Sequence, residues 1–177
     1  MERIIYISYF TTPIGELILG SFKDELCLCD WRYRKMRKSV DDRIKKGLNA
    51  EFKQEGSQIV EISKQQLAEY FEGKRTSFDI PLTFVGTQFQ KHVWNVLLEI
   101  PAGKTDTYLG LSKKLGNVKA IRAVATANGA NALSIIVPCH RVIGSDGKLV
   151  GYAGGLPAKK KLLELEGVLI NNQTKLF

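Results

Sequence analysis

Hydrophobic positions along the chain follow two patterns, runs of β-forming residues near the N-terminus and helical spacing further along. The runs cover residues 4–10, 16–20 and 26–31, and turn-forming residues separate them. The first turn, residues 12–15, contains proline and glycine, and the second, residues 22–25, contains lysine and aspartate. This spacing predicts three antiparallel strands joined by short turns.

Two later segments carry hydrophobic residues at helical spacing. The first covers residues 57–71, begins at Ser57, which can cap it, and ends near Gly73. The second begins at Thr87, also a suitable cap, and stops at Pro101. Both segments predict amphipathic helices that pack on a core.

The segments between these elements are less regular. Residues 77–82 predict an edge strand, because Pro81 has no N–H to donate to an inner strand. Residues 32–46 are basic and predict either a solvated loop or a short helix, and we assign them no function. A domain boundary is expected at residues 83–86.

Residues 105–130 predict a helix-turn-helix. Asp106 or Thr107 can cap a short first helix, a glycine and an asparagine can then turn the chain, and residues 118–128 predict the second helix. Arg122 is a single long cation within this second helix. Its other notable residues are small and permit a close backbone approach: Ala120, Ala123, Ala125 and Ala127. Because small residues also suit helix packing, a nucleic-acid surface and a packing role both stay open.

A thiol and an imidazole follow a short apolar run in the same half of the chain. Residues 135–137 predict a buried strand that ends at Pro138. Cys139 then lies at a turn, and His140 can act as its base, since the thiolate is the nucleophilic form of cysteine. Neighbours in a strand point to opposite faces, so the pair cooperates only if the chain turns or a water bridges them. A buried structural cysteine beside a hydrogen-bonded histidine is the alternative.

Two features follow the cysteine. Residues 144–155 form a glycine-rich connection with Tyr152, which could stack on a base or belong to a plain hairpin loop. The final predicted helix covers residues 158–167 and includes Glu166 in an apolar setting. A buried carboxylate there could orient His140 and raise its basicity, whereas a surface acid at a helix end would do neither.

Composition narrows the class of protein. The chain has 177 residues, 44% of them hydrophobic and 25% charged, as globular proteins have. No apolar stretch approaches the roughly 20 residues of a membrane helix, and the first residues lack a signal-peptide pattern, which favours the cytoplasm. The three cysteines, Cys27, Cys29 and Cys139, lack a metal-ligand spacing. We therefore expect reduced thiols, packing roles for Cys27 and Cys29, and no metal site.

Positive charge is concentrated in the second half of the chain. The net charge is +8, and residues 1–103 carry 15 Lys and Arg against 14 Asp and Glu, whereas residues 104–177 carry 11 against 4. Such asymmetry suggests a polyanionic partner, because Lys and Arg near a phosphate backbone release counterions. It favours the nucleic-acid interpretation of the helix-turn-helix.

Several of these motifs, in this order, resemble the O6-alkylguanine-DNA alkyltransferases, also called methylated-DNA–protein-cysteine methyltransferases. The most specific match is the pentapeptide of residues 138–142, Pro-Cys-His-Arg-Val, and a Tyr-x-Gly-Gly turn at residues 152–155 follows it. The tyrosine of the predicted helix-turn-helix, its arginine helix and the Leu-Leu-x-x-Glu-Gly end also match. The resemblance is strong from residue 86 to residue 167 and weak before it.

The resemblance implies a direct-reversal repair protein that accepts the alkyl group on Cys139. It implies that His140 takes the thiol proton through a water, that Glu166 orients His140 and that Asn131 braces the turn. By the same resemblance, Tyr108 crowds the phosphate of the target nucleotide and can protonate the departing guanine. No cofactor is needed for this transfer, each molecule reacts once, and activity on O4-alkylthymine stays open.

The DNA contacts also come from the resemblance. Arg122 would enter the duplex in place of the extruded base, and Ala123 and Ala127 would suit docking in the minor groove. The implied guanine pocket and its support comprise four further residues: Val142, Tyr152, Ala153 and Lys159. The expected partner is double-stranded DNA with an alkylated base, and the expected state is a monomer away from membranes.

The implied fold belongs to the α/β (α+β) class. Residues 1–85 would form an RNase H-like domain with an antiparallel sheet and helices, and residues 86–177 a mainly helical domain with a winged-helix-like helix-turn-helix. Two departures stand out. Ala132 replaces the proline that many members have after the bracing asparagine, and Cys27 and Cys29 do not match the zinc ligands of some members.

Three other functions can be weighed against this one. A lesion-binding relative without activity would lack the cysteine, and Cys139 is present. A cysteine hydrolase would not need a basic helix-turn-helix. A transcriptional regulator would leave Cys139, His140 and Glu166 unexplained and would read the major groove. The alkyltransferase hypothesis explains all of these features together.

Overall fold

The structure, a computed structural model, describes residues 2–168, and the chain divides into two compact units, Met1–Gly86 and Thr87–Phe177. Residue 1 and residues 169–177, which the predicted domains include, lie outside the described residues. The first unit combines a sheet with helices, and the second is mainly helical. The mixed α+β class predicted from the sequence is confirmed.

The sheet of the first unit is built on the predicted meander. Its strands are β1 (Ile4–Thr12), β2 (Gly15–Phe22) and β3 (Glu25–Trp31), with β1 antiparallel to β2 and β2 antiparallel to β3. Lys23 and Asp24 both have positive φ, 48° and 62°, in the turn between β2 and β3. A two-residue turn of this kind matches the right-handed twist of the strands it joins.

The basic stretch after β3 forms a packed helix. Helix α1 (Arg37–Leu48) buries Val40 and Ile44, and Asp30 below it is fully buried. Arg34 and Arg37 each donate to Asp30 at 3.0 Å, so this stretch is anchored by buried ion pairs. The solvated-loop alternative is therefore excluded for α1.

A fourth strand joins the sheet without any signature in the local sequence. Strand β4 (Glu51–Gln54) pairs parallel with β1, and the sheet order is β3-β2-β1-β4. Only Phe52 of its four residues is less than exposed, so the strand shows no hydrophobic run. A short polar strand at a sheet edge follows from tertiary pairing and not from local pattern.

Helix α2 (Gln58–Phe71) confirms the first predicted helix, and Ser57 caps it by accepting from the Val60 N–H at 3.2 Å. It packs against β1, β2 and β3. The strand predicted at residues 77–82 is wrong, since Leu82 forms only one isolated bridge with Leu26. The backbone there makes two hydrogen bonds with Leu26 and then leaves the sheet.

The second unit starts with α3 (Gln88–Leu97), which Thr87 opens with a capping box. The helix-turn-helix is confirmed: α4 (Tyr108–Lys114) is followed by a 3₁₀ turn and by α5 (Ile121–Gly129), and α4 and α5 pack together. The last helix is α6 (Leu156–Leu165).

A short parallel pair connects the start of the helix-turn-helix to the segment after Cys139. Strand β5 (Asp106–Thr107) pairs with β6 (Val142–Ile143), in the register Asp106 to Val142 and Thr107 to Ile143. Strand β5 leads directly into α4, and β6 directly follows the Cys139–Arg141 turn. This pair of strands therefore links the segment of the nucleophile candidate to the predicted DNA-binding motif.

Candidate active site

The segment before Cys139 is a series of turns and not the predicted strand. Ile135 has φ of +72°, in the left-handed region that β-branched residues rarely adopt. Backbone bonds fold the segment on itself, with the Val137 N–H donating to the Leu133 carbonyl at 2.8 Å. The prediction failed because the apolar run is buried inside the unit without pairing in a sheet.

Asn131 holds this turn together from inside. Its side chain is almost fully buried, its Nδ2 donates to the Val137 carbonyl at 2.9 Å, and its Oδ1 accepts from the Leu133 N–H at 2.9 Å. One amide side chain thus satisfies a donor and an acceptor of the buried backbone. Ala132 follows it in place of proline, so these bonds, and not a ring, restrain the turn.

Cys139 starts a 3₁₀ turn, Cys139–Arg141, immediately after Pro138. All three of its residues are buried, and the thiol residue is 3% exposed. Because the backbone is helical here, the side chains of Cys139 and His140 do not point to opposite faces, as neighbours in a strand would. The turn that their cooperation requires is present.

His140 and Glu166 form a buried pair. The His140 Nε2 lies 2.7 Å from the Glu166 Oε1, and the two side chains are 0% and 2% exposed. A carboxylate can only accept, so Nε2 carries the proton in this bond. The His140 Nδ1 then presents a lone pair, and this atom is buried without a hydrogen-bond partner among residues 2–168.

Burial lowers the pKa of His140, and the hydrogen bond and charge of Glu166 oppose that shift only in part. Burial alone would raise the pKa of Glu166, but the hydrogen bonds and charges of His140 and Arg141 outweigh it and lower the pKa to about 2. At neutral pH the pair is therefore a neutral imidazole beside an ionised carboxylate. This is the state in which a histidine can accept a proton at Nδ1.

Arg141 belongs to the same network, although the sequence analysis assigned it no role. Its Nε donates to the Glu166 Oε2 at 2.9 Å, its Nη2 donates to the Glu166 Oε1 at 2.8 Å, and its Nη1 donates to the Ile100 carbonyl at 2.5 Å. Such a bidentate contact fixes the plane of the carboxylate. The sequence signal for this role is the single arginine within an otherwise largely apolar motif, residues 135–142.

Tyr108 opens helix α4 and lies near the thiol. Its hydroxyl donates to the Val150 carbonyl at 3.0 Å. Burial raises the pKa of Tyr108 to about 12, and the charge of Cys139 adds to the shift. The phenol therefore stays protonated and available as a donor.

Lys159 is fully buried and donates to three main-chain carbonyls, those of Val142 at 2.6 Å, Gly151 at 3.1 Å and Val150 at 3.2 Å. Burial lowers the pKa of Lys159 to about 8, and the charge of Cys139 opposes the shift. The ammonium fastens the glycine-rich connection to β6. It shares the Val150 carbonyl with Tyr108.

The remaining predicted pocket residues surround this anchor. Val142 is fully buried, and Tyr152 and Ala153 are partly exposed. The ring of Tyr152 meets the ring of His140 edge to face, with centroids 6.4 Å apart and planes at 78°. The structure thus gathers the thiol, the His140–Glu166 pair, Tyr108, Lys159 and the glycine-rich connection in one place.

The helix-turn-helix residues divide between surface and core. Arg122 and Ala123 are exposed on α5. Ala127 is 2% exposed, and its carbonyl accepts from the indole N–H of Trp94 at 2.8 Å, so its side chain is not available to DNA. The prediction of a DNA contact for Ala127 is wrong, because the packing role that small residues also suit applies at this position.

The other cysteines pack in the sheet. Cys27 and Cys29 are buried thiols, and burial raises the pKa of both, to about 12 for Cys27. Among the residues that the structure describes, no group of three or more His, Cys, Asp or Glu side chains could hold a metal ion. Within the same part of the chain, none of the helices has the length and apolar character to span a membrane.

A buried cysteine with a histidine–glutamate pair, in a basic unit that carries a helix-turn-helix, defines a protein that directs a cysteine nucleophile at nucleic acid. Family comparisons make this specific. Residues 88–168 match the DNA-binding domain of 6-O-methylguanine DNA methyltransferase, and residues 5–84 match the ribonuclease-like domain of the same proteins. The chain belongs to the 6-O-methylguanine DNA methyltransferase family.

Individual relatives agree with this assignment. A methylated-DNA–protein-cysteine methyltransferase of Methanosarcina acetivorans is 46% identical over 163 residues, which cover 92% of this chain and 99% of the relative. The crystal structure of the Mycobacterium tuberculosis O6-methylguanine methyltransferase superposes with a TM-score of 0.78 at 36% identity, covering 96% of this chain and 98% of that one. The same mycobacterial protein in complex with DNA gives a TM-score of 0.77 at 37% identity, covering 91% and 92%.

Proposed function

We propose that this protein repairs DNA by transferring an alkyl group from the O6 atom of guanine to the Sγ atom of Cys139. The observation that carries the proposal is the buried His140–Glu166 pair beside Cys139, in the unit that presents the helix-turn-helix. The family and the DNA complex of the mycobacterial relative support the same activity.

The reaction requires the target base outside the helix. The alkyl carbon on O6 cannot be reached by a buried thiol while the base is stacked, so the nucleotide must be extruded. Arg122, exposed on α5, would fill the space that the base leaves, and the small Ala123 beside it permits close approach to the minor groove. Partial exposure of Tyr152 and Ala153 leaves the glycine-rich connection accessible to an extruded guanine.

The proton of the thiol would leave through His140. We infer that a water between Sγ and Nδ1 carries the proton to the imidazole, because Nδ1 offers a lone pair and Nε2 already donates to Glu166. The thiolate then attacks the alkyl carbon, the S–C bond forms and the C–O bond breaks. The charge that develops on His140 is stabilised by the ionised Glu166.

The departing guanine needs a proton in exchange. Tyr108 can supply one, since its pKa of about 12 keeps it protonated and its present acceptor is only a carbonyl oxygen. The phenolate that this leaves regains a proton from water, because the same high pKa disfavours the anion. Asn131 and Lys159 would hold the two walls of the site, the turn before Cys139 and the glycine-rich connection. Val142 is fully buried, and its carbonyl accepts from Lys159, which joins that second wall to β6.

The product is a thioether, which is chemically stable, so each molecule acts once. The alkyl carbon moves from one nucleophilic atom to another without a redox step, and the proposal therefore requires no cofactor. A single active chain needs no second copy for this chemistry, and we propose a monomer. The reduced thiol on which it depends favours the cytoplasm.

Intact mass spectrometry tests the proposal. The native chain and Cys139→Ser would each be incubated with a duplex that contains one O6-methylguanine opposite cytosine. We expect one added methyl group on the native chain and none on the variant. Selective binding of the lesion duplex without any mass change would overturn the proposal and indicate a damage-recognition protein.

A further inference from the structure

Two large apolar side chains are exposed at the entry to helix α5. Val118, in the 3₁₀ turn, is 52% exposed, and Ile121, the first residue of α5, is 39% exposed. Residues three apart in a helical turn lie side by side, so the two side chains form one apolar ridge. Neither side chain is part of the core, because α5 packs on the core through its inner face, which includes Val124 and Ala127.

The ridge lies on one flank of the surface that carries Arg122. At 100° per residue, Arg122 and Thr126 occupy the outward crest of α5, opposite the buried residues. Ile121 falls on one side of that crest and Ala123 on the other. The exposed face of α5 is therefore asymmetric, bulky and apolar on one flank and small on the other.

Cations border the apolar ridge. Lys119 lies between Val118 and Ile121 in sequence, Arg122 follows directly, and both cations are exposed. This charge attracts a phosphate backbone, whereas the apolar groups gain nothing from phosphate or water. Apolar side chains at a minor-groove surface contact sugars and base edges, and they can wedge beside an unstacked base.

We propose that Val118 and Ile121 form an apolar wedge that contacts the deoxyribose and base edges of the duplex next to the extruded nucleotide. This inference rests on the proposed function and adds to it a source of duplex binding that does not depend on salt. We expect the wedge to contact DNA only in a duplex, because the DNA surface that it contacts consists of the paired bases and sugars beside the gap. Lys119 and Arg122 supply the salt-dependent part of binding.

The test compares duplex with single strand. Ile121→Ala and the double variant Val118→Ala/Ile121→Ala would be measured in a Cys139→Ser background by fluorescence anisotropy, with one O6-methylguanine in a duplex and in the same single strand. Leu98→Ala is the matched control, since Leu98 ends α3 in the same unit with a similar exposure of 44%. Ile121→Leu keeps the apolar surface.

We expect Ile121→Ala to weaken duplex binding about fivefold or more, and the double variant to weaken it further. Binding of the single strand should change less than about twofold, and Ile121→Leu and Leu98→Ala should bind the duplex as the native surface does. The slope of log Kd against log salt should stay unchanged for Ile121→Ala, because no cation is removed. Circular dichroism melting checks that the variants are folded.

Two results would overturn the inference. Equal duplex affinity for Ile121→Ala and Leu98→Ala would show that the ridge does not touch DNA. Equal weakening on duplex and single strand would show an indirect effect on the fold or pocket. Methyl transfer by the native chain, measured in parallel by intact mass, tests the proposed function separately. A native chain that transfers nothing refutes the repair reaction, whereas the wedge is refuted only by the two binding results above.

Discussion

Glu166 accepts hydrogen bonds from both residues that follow the cysteine, His140 and Arg141. The contact with Arg141 is bidentate and nearly buried, and the hydrogen bonds from His140 and Arg141 together keep the carboxylate ionised well below its ordinary pKa. The contact with His140 fixes which nitrogen carries the proton. One carboxylate therefore sets both the orientation and the tautomer of the imidazole.

Glu166→Gln tests the ionisation directly. The folded pKa of Glu166 is lowered from 4.5 to about 2, so its ionised form stabilises the fold above about pH 4.5, and this contribution is lost as the pH falls towards 2. We expect the variant to be less stable at pH 7, by on the order of 3 kcal/mol, with a difference that shrinks below pH 4. Urea unfolding of both proteins from pH 7 to pH 3 measures it. A difference that does not vary with pH would contradict the expectation.

Arg141→Gln tests the third member of the network. Removing one partner of a buried ion pair leaves Glu166 uncompensated and costs about 3–5 kcal/mol. The charge of Arg141 lowers the pKa of His140, so its removal should raise that pKa and move the acid limb of the methyl-transfer rate to higher pH. Single-turnover transfer across pH 5–9 and urea unfolding at about pH 7 give the two readouts.

Arg75→Gln is the control for that substitution. Arg75 pairs with Glu69 in the first unit at 2.7 Å, with side chains 24% and 31% exposed, and such a solvated pair contributes little to stability. Similar effects of the two substitutions on stability and on transfer would contradict a special role for Arg141.

Helix ends were the most predictable elements, since capping chemistry is local. Ser57, Thr87 and Thr107 each accept the backbone bond expected of a cap. The apolar run before Cys139 misled the prediction, because burial selects the same residues for strands and for buried turns. The decisive interaction there, between Asn131 and the backbone, joins residues six apart and has no periodic signature.

Asn131→Ala should disrupt the turn as an element. It leaves the buried Leu133 N–H without its side-chain partner, which costs about 1–3 kcal/mol. It also removes one of two hydrogen bonds to the Val137 carbonyl, which still accepts from the Cys139 N–H at 2.8 Å. We expect a clear drop in stability in urea and slower methyl transfer, since Cys139 follows Val137 by two residues. Asn117→Ala, which removes an exposed cap of the 3₁₀ turn, should cost no more than about 1 kcal/mol and leave the transfer chemistry on a single strand intact.

At the scale of the whole molecule, the charge asymmetry and the family motif predict a DNA-directed protein from the sequence alone. The helix-turn-helix followed from turns and caps. What the sequence pattern alone could not provide is the convergence of the site. His140 and Glu166 are 26 residues apart, and only tertiary packing brings them within hydrogen-bond distance.

The same asymmetry predicts how binding responds to salt. Removing one cation that binds a phosphate should reduce the slope of log Kd against log salt by about one. We expect this for Lys119→Ala on a lesion duplex, because Lys119 is exposed beside α5, and no change for Lys53→Ala, whose exposed partner is Glu55 in the first unit. Titrations between about 50 and 200 mM salt measure both slopes. Equal slopes for the two variants would contradict a DNA surface centred on the helix-turn-helix.

Lys159 is held entirely by main-chain oxygens, those of Val142, Val150 and Gly151. Every amino acid supplies such an oxygen, so the anchor does not depend on which side chains occupy these positions. The side chains of the glycine-rich connection can therefore change by substitution while its attachment persists. Val150, which is 51% exposed, is a position where a change of side chain should leave these hydrogen bonds intact. The fold thus combines a fixed main-chain attachment with side-chain positions that can vary.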